Sequence, residues 1–382
     1  MRGWLFGVVA ACLLAAAVPL RAQEFRYEVR PGDSLWAIAS RYLRDIKDLP
    51  ELARLNGVAD ARKVAPGASV RIPVSLMREV MVAGTVFAVT GEVLRKAPQA
   101  TSGNPVRPGQ KFNERDVLQA GIGGAATLLL PDGSKIRMAE GAELEVLRMR
   151  RFADTMLFDS RLRLARGRVE TEVRPLGPGG RFEILTPAAV TSVRGTDYRV
   201  RAADATSVAE VVEGRVGFGN DLGTTEVPGG FGARADAGQP PAPPRPLLPG
   251  PDLAGVPLVV GATPAMLSFS GVPNAYRYRV QAAADPDFGQ PALDLVVDGP
   301  QVTLPATADG PLHLRVRAID ADGIEGLEAR RTVRVAAPPG PAELSVPPAG
   351  HLAGPGPVRF AWKIPAGARR RCRRRPWPLG RV

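Results

Sequence analysis

From residue 80 to residue 220 the chain repeats one pattern, short runs of alternating apolar and polar residues broken by glycine-containing turns, with no stretch of convincing helical periodicity. Such a pattern predicts an all-β domain, either a sandwich or a solenoid-like stack. Leu128-Leu129-Leu130 and Lys135-Ile136-Arg137-Met138 flank Pro131-Asp132-Gly133-Ser134, which predicts a hairpin. Arg161-Leu162-Arg163-Leu164 and Arg168-Val169-Glu170-Thr171 flank Ala165-Arg166-Gly167 and predict another. Further strands are expected at residues 181–184, 198–201 and 208–212. The 42 Gly and 38 Pro of the 382 residues suit many turns better than long helices.

The flanks read differently. Residues 25–74 form a mixed unit: Arg26-Tyr27-Glu28-Val29 alternates as a strand, Pro31-Gly32 turns, and Asp33 or Ser34 caps a helix with Leu35, Ile38, Ala39 and Tyr42 on one face. A second helix near residues 49–55 stops at Asn56-Gly57, and Ser69-Val70-Arg71-Ile72 closes the unit as a strand before Pro73. After the β region, Pro240-Pro241 and Pro243-Pro244 mark residues 227–258 as a semi-extended linker. Beyond it an internal repeat runs at an offset of 91 residues, from Phe269 to Phe360, close to one β-sandwich module. The second copy breaks off after Ala368 into Arg369-Arg370-Arg371-Cys372-Arg373-Arg374-Arg375. Two explanations fit that run, a frameshift in a GC-rich gene or a genuine basic tail that touches anionic polymers.

Compartment and charge narrow the function classes. Arg2, an apolar run over residues 3–20 and Leu20-Arg21-Ala22 make a secretory leader cleaved after Ala22, with an uncleaved anchor or a lipobox at Cys12 as the alternatives. Cleavage leaves Cys372 alone, so no intramolecular disulfide is expected. Of the net charge of +12, nine units belong to Arg2, Arg21 and the seven arginines of residues 369–381, leaving +3 on the body of the chain. A near-neutral body gives no basic stripe for nucleic acid.

Tyr27-Glu28-Val29-Arg30-Pro31-Gly32-Asp33-Ser34-Leu35-Trp36-Ala37-Ile38-Ala39, Leu52-Ala53-Arg54-Leu55-Asn56-Gly57 and Pro66-Gly67-Ala68-Ser69-Val70-Arg71-Ile72-Pro73 together resemble the LysM family. Ser34 stands where Thr is usual, and the connection from second helix to last strand is long. The resemblance implies a βααβ fold with a shallow groove for N-acetylglucosamine units of peptidoglycan or chitin. Gly32, Asp33, Ser34 and Leu35 would line one side and Asn56, Gly57, Val58 and Ala59 the other. Acetamido groups need hydrogen-bonding backbone rather than charge, which suits these residues. Trp36 is expected to divide between packing and surface.

Phe182-Glu183-Ile184-Leu185-Thr186-Pro187-Ala188, Val193-Arg194-Gly195-Thr196-Asp197-Tyr198 and Val211-Val212-Glu213-Gly214-Arg215-Val216 resemble the FecR domain. That resemblance implies a periplasmic interaction or sensing domain. In signalling members it follows a membrane helix and a cytoplasmic anti-sigma segment, and no such segment precedes it in this sequence. Arg194 is expected to pair with Glu213 or Glu210. Leu314-Arg315-Val316-Arg317-Ala318-Ile319-Asp320 with Asp322-Gly323 is similar to the late strand and turn of fibronectin type III modules.

A mainly all-β multidomain chain is therefore expected: leader 1–22, a βααβ LysM module 23–77, an all-β FecR-like domain 78–226, linker 227–258, a fibronectin III/Ig-like β-sandwich 259–337, and a truncated second repeat 338–382. No catalytic centre, cofactor or metal is expected: Cys372 has no paired His, and His313 and His351 are isolated. Glu143 and Glu145 alternate in a strand and read as solvated charge rather than a glycosidase pair. The expected function is a non-enzymatic tether, exported to the periplasm or envelope. Its partners would be an N-acetylglucosamine polymer and an envelope protein, not nucleic acid. A FecR-type signalling regulator and a cell-wall hydrolase are the alternatives.

Overall fold

Residues 23–261, 264–289, 291–305, 307–336, 343–346 and 361–363 are described in the computed structural model. The leader, Cys12, Cys372, His351, Phe360 and the arginine run lie outside them. The chain divides into two compact units, Met1–Pro244 and Arg245–Val382.

The first unit begins with β1 (Glu24–Glu28), α1 (Leu35–Tyr42), α2 (Leu49–Asn56) and β2 (Ser69–Pro73). The two strands pair antiparallel with Phe25 opposite Ile72 and Tyr27 opposite Val70. Ser34 Oγ accepts the Ala37 N–H at 3.1 Å, which starts α1. Gly57, at φ +66, ends α2, and Val58 N–H reaches back to Ala53 O at 3.0 Å. Leu35, Ile38, Ala39 and Tyr42 form the buried face of α1, as their spacing predicts.

The β domain follows as two sheets. One runs through the strands Asn104–Pro105, Val93–Lys96, Val117–Ala120, Glu143–Phe152, Phe158–Glu172, Arg181–Leu185, Val190–Val193, Arg215–Asn220 and Gly223–Pro228. The other runs through Lys111–Phe112, Gly84–Thr90, Ala125–Leu129, Lys135–Met138, Phe158–Glu172, Asp197–Ala203, Thr206–Glu213 and Phe231–Asp236. Both sheets turn their apolar residues into one core, where Leu118, Leu144, Ile184 and Phe218 meet Leu128, Ile136, Val200 and Val211. The arrangement is a two-sheet sandwich rather than a solenoid.

Phe158–Glu172 belongs to both sheets, and this corrects the second predicted hairpin. Residues 165–167 are not a turn: the strand runs through them, pairing with the first sheet up to Arg166 and with the second from Gly167. Gly167 has φ +85, and a Cβ there would lie 2.4 Å from Ala142 Cα, so glycine here allows a bend and a close backbone approach. The hairpin at residues 131–134 forms as predicted, with Leu130 N–H on Ser134 O at 2.9 Å. The stretch expected to be linker contains Phe231–Asp236, which pairs with Thr206–Glu213, and Ala233 and Ala235 are buried. Its glycines had hidden the alternation.

The N-terminal module does not end its core at its own boundary. Phe152, Ala153 and Leu157, at the tip of the hairpin between Glu143–Phe152 and Phe158–Glu172, are buried in one cluster with Tyr42, Leu43, Val74 and Met77. Hydrogen bonds complete the seam: Arg44 N–H to Leu76 O and Arg78 N–H to Tyr42 O, each 2.8 Å, and Ala153 N–H to Arg78 O at 2.7 Å.

The second unit is a smaller sandwich. A five-stranded sheet in the order Val259–Val260, Glu325–Val335, Gly310–Ile319, Arg277–Ala283, Pro291–Val297 shares a core with the pair Ala265–Ser268 and Gln301–Leu304. Of the second repeat, the described strands Glu343–Val346 and Ala361–Lys363 pair antiparallel.

Phe152→Ala empties a volume that both parts of the first unit line, and it is expected to cost roughly 3–5 kcal/mol. Hydrogen exchange should then accelerate in α1 as well as in the hairpin; acceleration confined to the hairpin would show two independent cores.

Candidate functional site

The loops expected to hold glycan are joined by backbone bonds: Gly67 N–H donates to Val29 O at 2.8 Å and Val29 N–H to Ala68 O at 2.9 Å, and a third bond lies at the start of α1. Leu35 N–H donates to Ala61 O at 2.8 Å, which ties the first turn of α1 to the loop after α2. The residue bonded to the Leu35 backbone is thus Ala61, outside the eight expected positions. An alanine with no chemistry of its own carries no sequence signal that could have revealed it.

The eight expected residues play different parts. Leu35 is buried and packs the module. Asn56 acts as a strand-like clamp: its Oδ1 accepts Arg71 N–H at 2.7 Å, and its Nδ2 donates to Arg71 O and Leu52 O, each at 2.8 Å. Its polar atoms hold α2 to β2. Ser34 spends its hydroxyl on the α1 cap. Asp33 Oδ2 accepts the Tyr27 hydroxyl at 2.7 Å and Arg30 N–H at 2.8 Å. Gly32, Gly57 and Ala59 are exposed, and Val58 is half-buried against the core. Trp36, on the first turn of α1, is 58% exposed and stands at this end of the module.

Electrostatics follow from the Tyr27–Asp33 bond. The Tyr27 hydroxyl and then the Arg30 N–H hold the Asp33 carboxyl below the usual aspartate range, and the same bond, with burial, raises the Tyr27 phenol. The loop is therefore organised around an ionised Asp33.

Position matters as much as chemistry. α1 starts at these loops and ends at Leu43, which bridges to Met77 at the seam with the β domain. Eight residues of helix separate the two ends by about 12 Å. The module docks by one end and presents its loops at the other. A larger cleft, about 690 Å³, runs along β1 past Phe25, Tyr27 and Tyr42, and of the expected residues' neighbours it takes in Pro31.

In the β domain, the motif residues build corners. Thr186 closes a tight turn on Ala189, with Thr186 N–H on Ala189 O at 2.8 Å and the hydroxyl on the same carbonyl at 2.6 Å. Gly195 has φ +109, and a Cβ there would lie 2.9 Å from Pro175 Cα; one on Gly214, at φ +88, would lie 2.9 Å from Gly195 O. Thr196 Oγ1 donates to Arg215 O at 3.0 Å across that crossing. The Arg-Gly-Thr and Glu-Gly elements thus let two backbones cross closely. Arg194 is exposed, and no described ion pair includes it; Glu210 instead faces Arg199 on the neighbouring strand at 3.5 Å, with side chains 1% and 3% exposed. Burial selects that pairing, because an unpaired charge inside a sheet is costly.

The carboxylates weighed for catalysis are engaged. Glu143 pairs with Arg166 at 2.7 Å and Glu145 with Arg163 at 2.8 Å, on the outward face of their strand. His313 Nδ1 lies 2.9 Å from Thr332 Oγ1. Among the described residues no cluster of His, Cys, Asp and Glu has metal-binding geometry, and no helix is long and apolar enough to cross a membrane.

Comparison with known proteins matches two stretches to family models: residues 27–73 to the LysM domain and residues 116–217 to FecR protein. A search of curated proteins finds no match. Two crystal structures of a protein named as an anti-sigma factor from Parabacteroides distasonis ATCC 8503 share 16% identity, with TM-scores of 0.29 and 0.30. The alignment covers 34% of this chain and 59% of each of those chains. The chicken CNTN1 FN1-FN3 domains align at 11% identity and a TM-score of 0.20, over 68% of this chain and 95% of that one. Similarity at that level carries no argument about function.

Because the folded Asp33 carboxyl is depressed, its contribution to stability is present above the unfolded aspartate value near 3.9 and is lost as pH falls through the lower folded value. Asp33→Asn should melt at a lower temperature than the parent near neutrality, with the gap closing below about pH 4. A gap that persists unchanged through acid would remove the Tyr27–Asp33 bond from the account.

Proposed function

We propose that the chain is a non-enzymatic, exported envelope protein that holds peptidoglycan through the loops at the outer end of the LysM module, while the FecR-like domain supplies an interaction or sensing surface. The carrying observation is the match of residues 27–73 to the LysM domain, together with the Leu35–Ala61 bond that joins the two loops. Gly32, Ser34, Ala59 and the exposed Trp36 then offer backbone donors, acceptors and an apolar surface suited to an N-acetylglucosamine unit. Leu35, Asn56 and Val58 support the loops from beneath. Docking by the opposite end leaves these loops clear of the β domain. One module gives weak affinity per site, and a polymer with many sites compensates.

Regulation is the second reading, favoured by the match of residues 116–217 to FecR protein. In that reading a separately encoded cytoplasmic partner receives the signal. Cell fractionation that finds residues 1–22 retained as an anchor supports it.

The wall reading is tested by sedimenting mature protein, residues 23–382, with isolated sacculi. Binding should persist at high salt, because the groove uses no ion pair. Ala59→Arg, which crowds the groove, should lower the bound fraction roughly tenfold, a change near 1.4 kcal/mol. Equal sedimentation of parent and variant would place any wall binding elsewhere, and a cleared zone in a zymogram would overturn the non-enzymatic assignment.

A further inference from the structure

In the sheet of the LysM module, one edge is closed and the other is open. β2 pairs with β1 on one side, and on the other Asn56 takes both backbone groups of Arg71, its Oδ1 accepting the N–H and its Nδ2 donating to the C=O. Neighbouring residues of an antiparallel strand turn their backbone groups to opposite sides, so this clamp fixes the direction of the whole pair. Arg71 turns away from β1, and Arg26, the residue opposite it, therefore turns away from β2. Val29 agrees, because its N–H and C=O are both spent on the β2 side, on Ala68 and Gly67. The N–H and C=O groups of Arg26 and Glu28 thus point out of the free edge of β1, where no hydrogen bond among the described residues reaches them.

Free edges are commonly blunted by proline, a bulge or charge of one sign. β1 contains no proline, and its register with β2 is unbroken. Its outward side chains alternate in sign instead: Glu24, Arg26, Glu28 and, just past the strand, Arg30. The last three are exposed and Glu24 is half-buried, and no described ion pair includes any of them. The cleft along β1 takes in Arg26, Glu28 and Arg30, so there is room beside the strand. That charge order is complementary to itself when read in the opposite direction. Pairing centred on Arg26 would set Arg26 against Arg26 and Glu24 against Glu28, like facing like. Pairing centred on Tyr27 sets Arg26 against Glu28 and Glu24 against Arg30, opposite facing opposite, each met twice across a two-fold axis.

We propose that β1 pairs antiparallel with β1 of a second copy of this chain, about a two-fold axis at Tyr27, and so joins two modules into one four-stranded sheet. In that register Arg26 exchanges both backbone bonds with the partner's Glu28, and their side chains pair on the solvent face. Half-buried Phe25 comes beside the partner's Val29 on the other face. The pairing ends at Arg30, whose N–H is already held by Asp33 and after which Pro31-Gly32 turns the chain away. An interface this short gives weak association. It uses the strand edge and not the glycan loops, so it stands whether or not the module holds a wall polymer.

The test is sedimentation velocity on residues 23–382 from about 1 μM to about 0.5 mM, a range that covers weak association. Reductant is present so that Cys372 forms no cross-link. The parent is expected to pass from monomer to dimer across that range, and less readily at high salt. Arg26→Glu alone, or Glu28→Arg alone, sets like charges opposite each other and should weaken dimerisation at least about tenfold. Both side chains are exposed, so melting temperatures should stay at the parent value. Mixing the two single variants restores opposite charges across the axis, and combining both exchanges in one chain restores them within it; each should dimerise as the parent does. A parent that stays monomeric throughout, single variants that dimerise as well as the parent, or a mixture that does not associate overturns the proposal. Ala59→Arg, at the glycan loops, should leave dimerisation unchanged, which separates the two surfaces.

Discussion

Phe152, Ala153 and Leu157, at the tip of one hairpin, are buried in the core of a module that begins more than a hundred residues earlier in the chain, and the first unit is organised around that burial. A module of two short helices and two strands has little apolar surface of its own to bury, which leaves it marginal. Phe152 and Leu157 add apolar volume beneath Tyr42, Leu43 and Met77. The same hairpin then feeds Phe158–Glu172, the strand on which both sheets of the β domain depend. Module and sandwich are thus anchored to a single element.

This attachment explains the division of labour within the module. The end of α1 at Leu43 is committed to packing, through its bridge to Met77 and the backbone bonds of Arg44 and Arg78. The other end is left to loops whose polar side chains mostly serve the loops themselves: Asp33 holds Tyr27 and Arg30, and Asn56 holds Arg71. Exposed at that end are backbone groups, the face of Trp36 and the side chains of Asp60, Arg62 and Lys63.

The FecR-type motifs have a parallel logic. Thr186, Gly195, Thr196 and Gly214 stand out in the sequence, and in the fold they form a tight turn and a backbone crossing rather than a cluster of reactive groups. The charged groups on the outer faces of this domain are largely paired, as Glu143 with Arg166, Glu145 with Arg163 and Glu114 with Arg150 show.

Local signals were enough to place the two helices, the Ser34 cap, the Gly57 stop and the hairpin at residues 131–134, because each depends on neighbours within a few residues. The mainly β character was equally legible from alternation. Non-local approach was not. Gly167 looks like a turn residue in sequence and is a bend in a continuous strand, because what decides it is Ala142 on another strand. The partner of Glu210 was set by which arginine is buried beside it, and the neighbour of Leu35 by a loop carbonyl at Ala61. Sequence determined the helices, most strands and the core-facing residues of those elements; only the tertiary structure decided that Phe231–Asp236 joins a sheet, which cores merge and which charges meet, since those outcomes rest on contacts between residues far apart in the chain.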